Sequence, residues 1–281
     1  MLRIRSEGLI TAPTISSLRS LLLKATTIVF FIIFPTLAQA DITTGLVGWW
    51  RFDEATSGTC SGASILDSSG NNNTGTCNNS PTWTTGHLAG AMSFNGTNQN
   101  ISMNGNNLPS TTSSRTISVW EKTTSSFLSG SHYRNILYYG TYNTNQAIFL
   151  SISTEQSTGA INNFYISQYG DRVFASSGNT VNDGNWHQLC ATYDGTTWRL
   201  YIDGTASSTA GGSNHPNMTT NTLLTNSATI GEDPGGDYFP GTLDDMRIYN
   251  RALSSSDVAQ LYRVHIITLH KAHLANFHVG N

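Results

Sequence analysis

Charged side chains are scarce in this sequence. Asp, Glu, Lys and Arg make up 11% of the 281 residues, and the 14 Lys and Arg are outnumbered by 17 Asp and Glu. The lack of a basic excess argues against nucleic acid as a partner, because phosphate recognition needs a positive patch. The longest apolar run, residues 28–34, is too short to span a bilayer, which takes about 20 apolar residues.

The first 40 residues have the pattern of a secretory signal peptide. A basic lead precedes the apolar run, and the run is followed by Ala38-Gln-Ala40, which places small residues where a signal peptidase reads them. We therefore expect residues 1–40 to be removed, the mature chain to begin at Asp41, and the protein to be secreted or held at the cell surface. An uncleaved membrane anchor is the alternative.

Cysteine is also rare, with three residues in the chain. Cys60 and Cys77 flank a loop of 16 residues, and an exported protein meets conditions that permit disulfides. We expect these two to be bonded, which would stabilise the fold by about 3 kcal/mol. We expect Cys190, which alternates with polar residues in a strand pattern, to be free and buried.

Short strand patterns and turn residues dominate the chain after residue 41. Asp194-Gly195 is the clearest hairpin turn, and helix periodicity is confined to residues 252–262, with Ser254, Ser255 or Ser256 as the cap. We predict an all-β fold, an antiparallel two-sheet β-sandwich with one short C-terminal helix, forming a single domain over residues 41–263. The tail 264–281 fits no strand pattern, and we expect it to be disordered; a histidine metal site there is the alternative. The predicted strands are 45–52, 90–95, 99–103, 115–122, 134–140, 146–153, 161–168, 171–176, 186–193, 197–203, 227–231 and 242–249.

The segment Phe239-Pro-Gly-Thr-Leu-Asp-Asp-Met-Arg-Ile-Tyr-Asn-Arg-Ala-Leu253 is the most informative in the sequence. Two adjacent carboxylates, Asp244 and Asp245, interrupt an apolar strand. Asp244 has the strand parity of Met246 and Ile248, so we expect it to point to the apolar side of the sheet. A carboxylate there needs a partner, and a hard cation is one.

This segment resembles the C-terminal signature of the laminin-G-like (concanavalin A-like lectin/glucanase) jelly roll. Other segments resemble the same family in the same order, so that the resemblance covers roughly residues 45–263. They are Gly45-Leu-Val-Gly-Trp-Trp-Arg-Phe-Asp-Glu54, Leu66-Asp-Ser-Ser-Gly-Asn-Asn-Asn-Thr-Gly75 with Gly90-Ala-Met-Ser-Phe-Asn-Gly96, and Trp186-His-Gln-Leu-Cys-Ala-Thr-Tyr-Asp-Gly195 with Arg199-Leu-Tyr-Ile-Asp-Gly204.

The resemblance implies a concanavalin A-like jelly roll with a structural calcium ion. The positions that match the family's ligands are Asp244, Asp53 and Asn95 or Gly96, and oxygen ligands suit a hard cation. The sequence has Asn95 where Asp is commoner, which removes a charge. The alternative is that Asp244 accepts hydrogen bonds from loop amides without a metal.

Aromatic side chains near loops are the candidate ligand-binding residues. Sugar rings stack their C–H faces on exposed aromatics, while Asn and Asp bind hydroxyl groups. The candidates are Trp49, Tyr133, Tyr139, Tyr142 and Tyr169. The alternative for each is ordinary packing within the sandwich.

Catalytic motifs are absent from the sequence. It contains no E-x-D-x-x-E or E-x-D-x-E pair for glycoside hydrolysis, no Gln-x-His strand of the lyases that share the fold, and no Gly-x-Ser-x-Gly elbow. We therefore expect a non-catalytic binding module that most readily recognises carbohydrate. A protein-binding or adhesion module on a cell surface is the alternative, and a divergent glycan hydrolase or lyase is a third.

Overall fold

The computed structural model describes residues 41–62, 64–124, 133–144, 146–153, 163–169, 175–176, 181–207, 221–224 and 228–264. The predicted signal peptide and the tail after residue 264 lie outside the described residues. So do parts of three predicted strands, namely 161–162, 171–174 and 227. Among the described residues, no helix combines the length and the hydropathy needed to cross a bilayer.

The regular secondary structure of the described chain consists of strands, followed by one helix over residues 255–264. The predicted all-β fold is thus confirmed. The strands are β1 Leu46–Trp50, β2 Gly58–Thr59, β3 Ser64–Ile65, β4 Gly75–Asn78, β5 Thr82–Thr85, β6 Gly90–Asn95, β7 Asn100–Met103, β8 Arg115–Lys122, β9 Tyr133–Gly140, β10 Ala147–Ser153, β11 Phe164–Gln168, β12 Ala175–Ser176, β13 His187–Tyr193, β14 Trp198–Ile202, β15 Thr205–Ala206, β16 Ala228–Ile230 and β17 Pro240–Tyr249.

These strands form two antiparallel sheets, as a sandwich requires. In the order of hydrogen-bonded neighbours, sheet A is β15-β14-β13-β8-β17-β6-β5-β2, with β1 also paired to β17. Sheet B is β12-β11-β10-β9-β16-β7-β4-β3. The consecutive strands β9 to β12 lie side by side in sheet B, and β13 to β15 lie side by side in sheet A. The chain alternates between the sheets from β6 to β9 and from β15 to β17, so the order within each sheet is not the order of the sequence.

The main hydrophobic core lies between the inner faces of the sheets. Ile117 and Val119 of β8 contribute from sheet A, and Ile148 and Leu150 of β10 contribute from sheet B. Residues between them in each strand point to the outer faces, because side chains alternate along a strand. The two outer faces are therefore the surfaces on which a site can be built.

The C-terminal helix covers part of the outer face of sheet A. Its residues Val258 and Leu261 pack with Tyr201 and Tyr249 of the sheet, together with the free Cys190. Ser254 Oγ accepts a hydrogen bond from the Asp257 amide, and Asp257 Oδ2 accepts one from the Ser254 amide. This reciprocal cap starts the helix at residue 255 rather than at the predicted 252.

The predicted disulfide is present. Cys60 and Cys77 are bonded, with their Cα atoms 6.0 Å apart. Cys190 is free and fully buried, as expected. The bond ties β4 of sheet B to the chain that follows β2 of sheet A.

Candidate functional site

An aromatic cluster lies on the outer face of sheet B, at the edge where β9 and β11 end and β10 begins. Tyr138 of β9 and Phe149 of β10 are cross-strand partners. Tyr142 follows in the hairpin between these two strands, and Tyr169 comes directly after β11. We call Tyr138, Tyr142, Phe149 and Tyr169 the tyrosine platform.

The platform has a buried base and an exposed top. Tyr138 and Phe149 are 2% and 7% exposed, whereas Tyr142 and Tyr169 are 40% and 36% exposed. The ring centroids of Tyr142 and Tyr169 are 4.1 Å apart, and Tyr142 meets Phe149 edge-on at 6.3 Å. Two exposed rings, held by two buried ones, form an apolar surface whose shape is fixed by packing.

An acidic loop, residues 232–237, lies beside the platform between β16 and β17. Asp233 Oδ1 accepts hydrogen bonds of 3.0 Å from the amides of Gly235 and Asp237, which fixes the loop. A Cβ atom at Gly235 would lie 3.2 Å from Asp233 Oδ1 and 3.2 Å from Tyr142 Oη. Asp233 Oδ1 and Tyr142 Oη are therefore at most 6.4 Å apart, which is twice 3.2 Å.

The electrostatics of this region follow from burial next to like charges. Burial raises the pKa of Asp233 to about 6. The negative charges of Asp237 and Glu232 also raise this pKa, whereas the hydrogen bonds from the loop amides lower it. Burial, then the Asp233 charge, raises the pKa of Tyr138 to about 12. The Tyr138 phenol is thus neutral near pH 7, and it lies beside a loop that carries three carboxyl groups.

The structure brings two of the five predicted ligand-binding residues together, Tyr142 and Tyr169. Tyr139 corrects the prediction, because its side chain is fully buried in the core and its hydroxyl accepts a hydrogen bond from Arg115. Tyr133 is at the opposite end of β9, seven residues from Gly140 and thus about 23 Å along the strand.

Trp49 belongs to the other sheet. It lies in β1 opposite Arg247 of β17, and its ring is flanked by the guanidinium groups of Arg247 at 4.5 Å and Arg51 at 5.5 Å. The indole N–H donates to Asp245 Oδ1. Trp49 is half-buried in this cluster and shares no surface with the tyrosine platform.

The second candidate site surrounds Asp244, at a point where β17 changes partners. Residues 240–243 of β17 pair with β6, whereas residues 246–249 pair with β1. The pairing with β8 shifts register between Asp244 and Arg247, and Asp245 has a φ of 47°. A β-bulge therefore occupies the position of the two adjacent aspartates.

The bulge corrects the predicted direction of Asp244. Leu243 and Met246 both face the core, although they are three residues apart. Asp244 pairs with Trp120, whose ring stacks on His87 and Tyr262, so it belongs to the outer face of sheet A. Its side chain is nevertheless fully buried.

The hairpin between β5 and β6 covers Asp244. The Leu88 amide donates to Asp244 Oδ2 at 3.0 Å, and the Gly90 amide donates to Asp53 Oδ1 at 3.0 Å. A Cβ atom at Gly86 would lie 2.1 Å from the Gly90 carbonyl oxygen and 2.6 Å from Asp244 Oδ2, so only glycine fits there. The hairpin thus brings Asp53 and Asp244 near one another.

Asn95 and Gly96 do not join this site. Asn95 pairs with Pro240, four residues before Asp244 on β17, which places it about 13 Å along the strand. Its side chain is exposed and accepts hydrogen bonds from the amides of its own turn. Asp245, the second of the two adjacent aspartates, is also buried, and it forms an ion pair of 2.9 Å with Arg247.

The donor set around Asp244 fits a cation in one respect. Asp244 Oδ1 is buried and has no hydrogen-bond partner among the described residues. The pKa of Asp244 is raised to about 8, chiefly by burial and also by the charges of Asp245 and Asp53. The hydrogen bonds from the hairpin amides act in the opposite direction. No group of three or more His, Cys, Asp or Glu side chains in the described ranges could hold a metal ion, so further ligands would be uncharged oxygens such as main-chain carbonyls.

Three functional or titratable residues were not predicted. Phe149 could have been found from its place opposite Tyr138 across a short hairpin, and Asp233 from the Asp-Pro-Gly-Gly-Asp turn. Glu121 continues the inward alternation of Ile117 and Val119, and both of its buried carboxyl oxygens lack a hydrogen-bond partner in the described structure. Burial and the charges of two aspartates raise the pKa of Glu121 well above its usual value.

The two-sheet architecture is that of a concanavalin A-like sandwich. The Laminin_G_3 family model, described as the concanavalin A-like lectin/glucanases superfamily, matches residues 95–259, more than half of the chain. The chain belongs to this family. No curated protein sequence matches it.

Solved structures share the fold at low sequence identity. Domain 4 of AbnA, a GH43 extracellular arabinanase from Geobacillus stearothermophilus, in complex with arabinotriose, is 22% identical with a TM-score of 0.57, covering 77% of this chain and 98% of that domain. The binding domain of Paraclostridial Mosquitocidal Protein 1 is 17% identical with a TM-score of 0.55, covering 79% of this chain. Trypanosoma rangeli sialidase is 16% identical with a TM-score of 0.50, covering 78% of this chain. The chain spans 52% of the mosquitocidal binding domain and 32% of the sialidase.

Proposed function

We propose that this protein is a secreted, non-catalytic binding module that recognises carbohydrate through the tyrosine platform. The observation that carries the proposal is the exposed pair Tyr142 and Tyr169, with ring centroids 4.1 Å apart, beside a loop of carboxylates. Exposed aromatic rings receive the apolar faces of sugars, and carboxylates accept hydrogen bonds from sugar hydroxyls.

Two properties of the platform support a preformed site. Its base is buried, and the Thr141 amide donates to the Gln146 carbonyl at 3.0 Å, which closes the hairpin that carries Tyr142. A fixed surface loses little conformational entropy when a ligand binds. The similarity to a domain solved with arabinotriose supports the same class of ligand.

The test is a glycan array probed with the mature protein and with a Tyr142→Ala/Tyr169→Ala double variant. The proposal predicts selective binding by the wild type and a loss of roughly tenfold or more in the variant, since each stacked ring contributes about 1 kcal/mol beyond its buried area. Leu66→Ala is the matched control, because Leu66 is 58% exposed and lies outside the platform. Equal binding by all three proteins would contradict the proposal.

A protein partner is the second candidate. Leu223 is 40% exposed, and its carbonyl accepts a hydrogen bond from Thr141 next to the platform, so it extends the exposed apolar surface. Extended apolar surface favours a protein ligand. Binding to cells that survives glycosidase treatment but not protease treatment would favour this candidate over the glycan.

The absence of catalysis is part of the proposal. Incubation with polysaccharides should release neither reducing ends nor unsaturated uronides. Release of either product, lost on substitution of a single carboxylate, would identify a hydrolase or lyase instead.

We also propose a structural calcium ion at Asp244. Asp244 and Asp53 would supply side-chain oxygens, and main-chain oxygens of the covering hairpin would complete the set. The buried, unpartnered Asp244 Oδ1 supports this assignment, because a cation would stabilise the ionised carboxylate there. The ion would hold the β5–β6 hairpin against the bulge in β17.

A further inference from the structure

Building on the proposed carbohydrate site, we propose that the tyrosine platform selects sugars that carry a protonated amine, and disfavours acidic ones. The amine would lie between the Tyr142 ring and the Asp233 carboxylate.

Tyr142 and Asp233 lie close together at the edge of the platform. Tyr142 Oη and Asp233 Oδ1 each lie 3.2 Å from one point, the position of a Cβ atom at Gly235. A sugar ring stacked on Tyr142 therefore has its ring substituents within reach of Asp233. An amine next to the stacked C–H face can meet the carboxylate while the ring keeps its aromatic contact.

The charged groups beside the platform set the sign of the local field. Glu232, Asp233 and Asp237 lie within six consecutive residues beside the platform, and each contributes to the potential at its neighbours. Arg134 lies next to this loop, because it donates a 3.5 Å hydrogen bond to the carbonyl of Tyr238, the residue that follows the loop. Within the described part of the chain, the three carboxylates of the loop outnumber the Arg134 guanidinium next to it. This part of the surface is therefore negative, which repels uronic and sialic acids and attracts an ammonium group.

An ammonium group interacts more favourably with Asp233 and the tyrosine ring than a hydroxyl group does. Asp233 is 6% exposed, so water stabilises its charge poorly. An ammonium group forms a charge-assisted hydrogen bond with the carboxylate, which is stronger than a neutral one, and it also interacts favourably with the face of a tyrosine ring. A neutral hydroxyl supplies neither electrostatic contribution.

Proton linkage supports the same assignment. Burial raises the pKa of Asp233 to about 6. The titratable groups that interact with its charge are Glu232, Asp237, Tyr138, Tyr142 and Tyr238. Ammonium binding favours ionised Asp233, so affinity for the amine should fall as the pH drops through about 6 and Asp233 takes up a proton. Affinity for a neutral sugar should change little over the same range.

The experiment compares two oligomers of equal length by isothermal titration calorimetry near pH 7, a glucosamine oligomer and its fully N-acetylated form. We expect the wild type to prefer the free amine by roughly ten- to a hundredfold, the range of one charge-assisted hydrogen bond. Asp233→Asn keeps an Oδ1 acceptor for the loop amides and should abolish the preference. Glu54→Gln removes the same charge from the loop after β1 and should preserve it.

The outcomes separate this inference from the proposed function. Equal binding of both oligomers, or preference for an acidic glycan, with platform variants still losing affinity, overturns the amine selectivity and leaves the carbohydrate site standing. Failure to bind any glycan overturns both. If Asp233→Asn does not fold, Glu232→Gln replaces it, and an unchanged preference in that variant counts against the inference.

Discussion

Replacing Asp244 by Asn should make the protein more stable in the absence of calcium and insensitive to calcium when it is added. Asn keeps the acceptor for the Leu88 amide and removes the carboxylate charge from a fully buried position. The variant therefore separates the cost of the buried charge from the packing of the side chain.

The magnitude follows from proton linkage. The pKa of Asp244 is about 8 in the folded protein against an ordinary value of 3.8. The unfolded chain thus releases this proton near pH 4 and the folded chain near pH 8, so the stability of the calcium-free wild type falls as the pH rises between these values. Each pKa unit is worth about 1.4 kcal/mol, which gives a ceiling of about 4 kcal/mol at pH 7.

Thermal unfolding in chelator measures the effect. The Asn variant should unfold above the wild type at pH 7 by up to about 8–16 °C, since 1 kcal/mol corresponds to roughly 2–4 °C for a domain of this size. The two should converge near pH 4. Calcium in hundredfold excess over its dissociation constant should stabilise the wild type by about 2.7 kcal/mol and leave the variant unchanged.

Asp245→Asn is the control for this experiment. It removes a neighbouring carboxylate that forms an ion pair with Arg247 and accepts the Trp49 indole hydrogen bond. It should lower stability and retain a response to calcium. Parallel pH profiles for wild type and Asp244→Asn in chelator, with no calcium response in either, would refute the account of this site.

Three further predictions concern the framework. Replacing Cys60 and Cys77 by Ser should lower the free energy of unfolding by about 3 kcal/mol in urea titrations, and an unchanged midpoint would contradict the role of the bond. Glu121→Gln should flatten the pH dependence of stability above about pH 4.5, because the raised pKa of the buried Glu121 makes the wild type less stable as the pH rises; a wild type that gains stability over this range would oppose the reasoning. Arg115→Met should cost at least about 3 kcal/mol, because the buried guanidinium donates to four main-chain carbonyls of residues 109–113; a loss below about 1 kcal/mol in urea titrations would show that these bonds contribute little.

The long strands could be predicted from the sequence because their patterns are local. The predicted bounds of β8 match the observed Arg115–Lys122, and the predicted hairpin at Asp194-Gly195 joins β13 to β14. The strands β2, β3, β4, β5 and β15 were not predicted. They are two to four residues long, too short for an alternation pattern, and they exist because longer strands offer an edge to pair with.

The direction of Asp244 could not be predicted from strand parity. Parity holds only while a strand is regular, and the bulge at Asp245 shifts every later residue by one position. The burial of Asp244 also depends on a hairpin some 156 residues earlier in the chain. A contact of that range is set by the packing of the sheets.

For the aromatic residues too, the sequence predicted proximity to a loop, whereas burial and contacts depend on the sheet. Tyr139 and Tyr142 lie three residues apart, yet one is in the core and the other is 40% exposed, because β9 ends at Gly140. Sequence spacing placed both near a loop and could not fix where the strand ends. The meeting of Tyr142 with Tyr169 requires β9 and β11 to flank β10, which is a property of the sheet order.

The central claim is that a sugar binds on the tyrosine platform of sheet B. A crystal structure of the mature protein with a bound oligosaccharide selected on the array tests it most directly. The account predicts a sugar ring stacked on Tyr142 or Tyr169 with a polar group turned to the residues 232–237. A sugar bound instead on the outer face of sheet A, around Trp49, with the platform unoccupied, would contradict it.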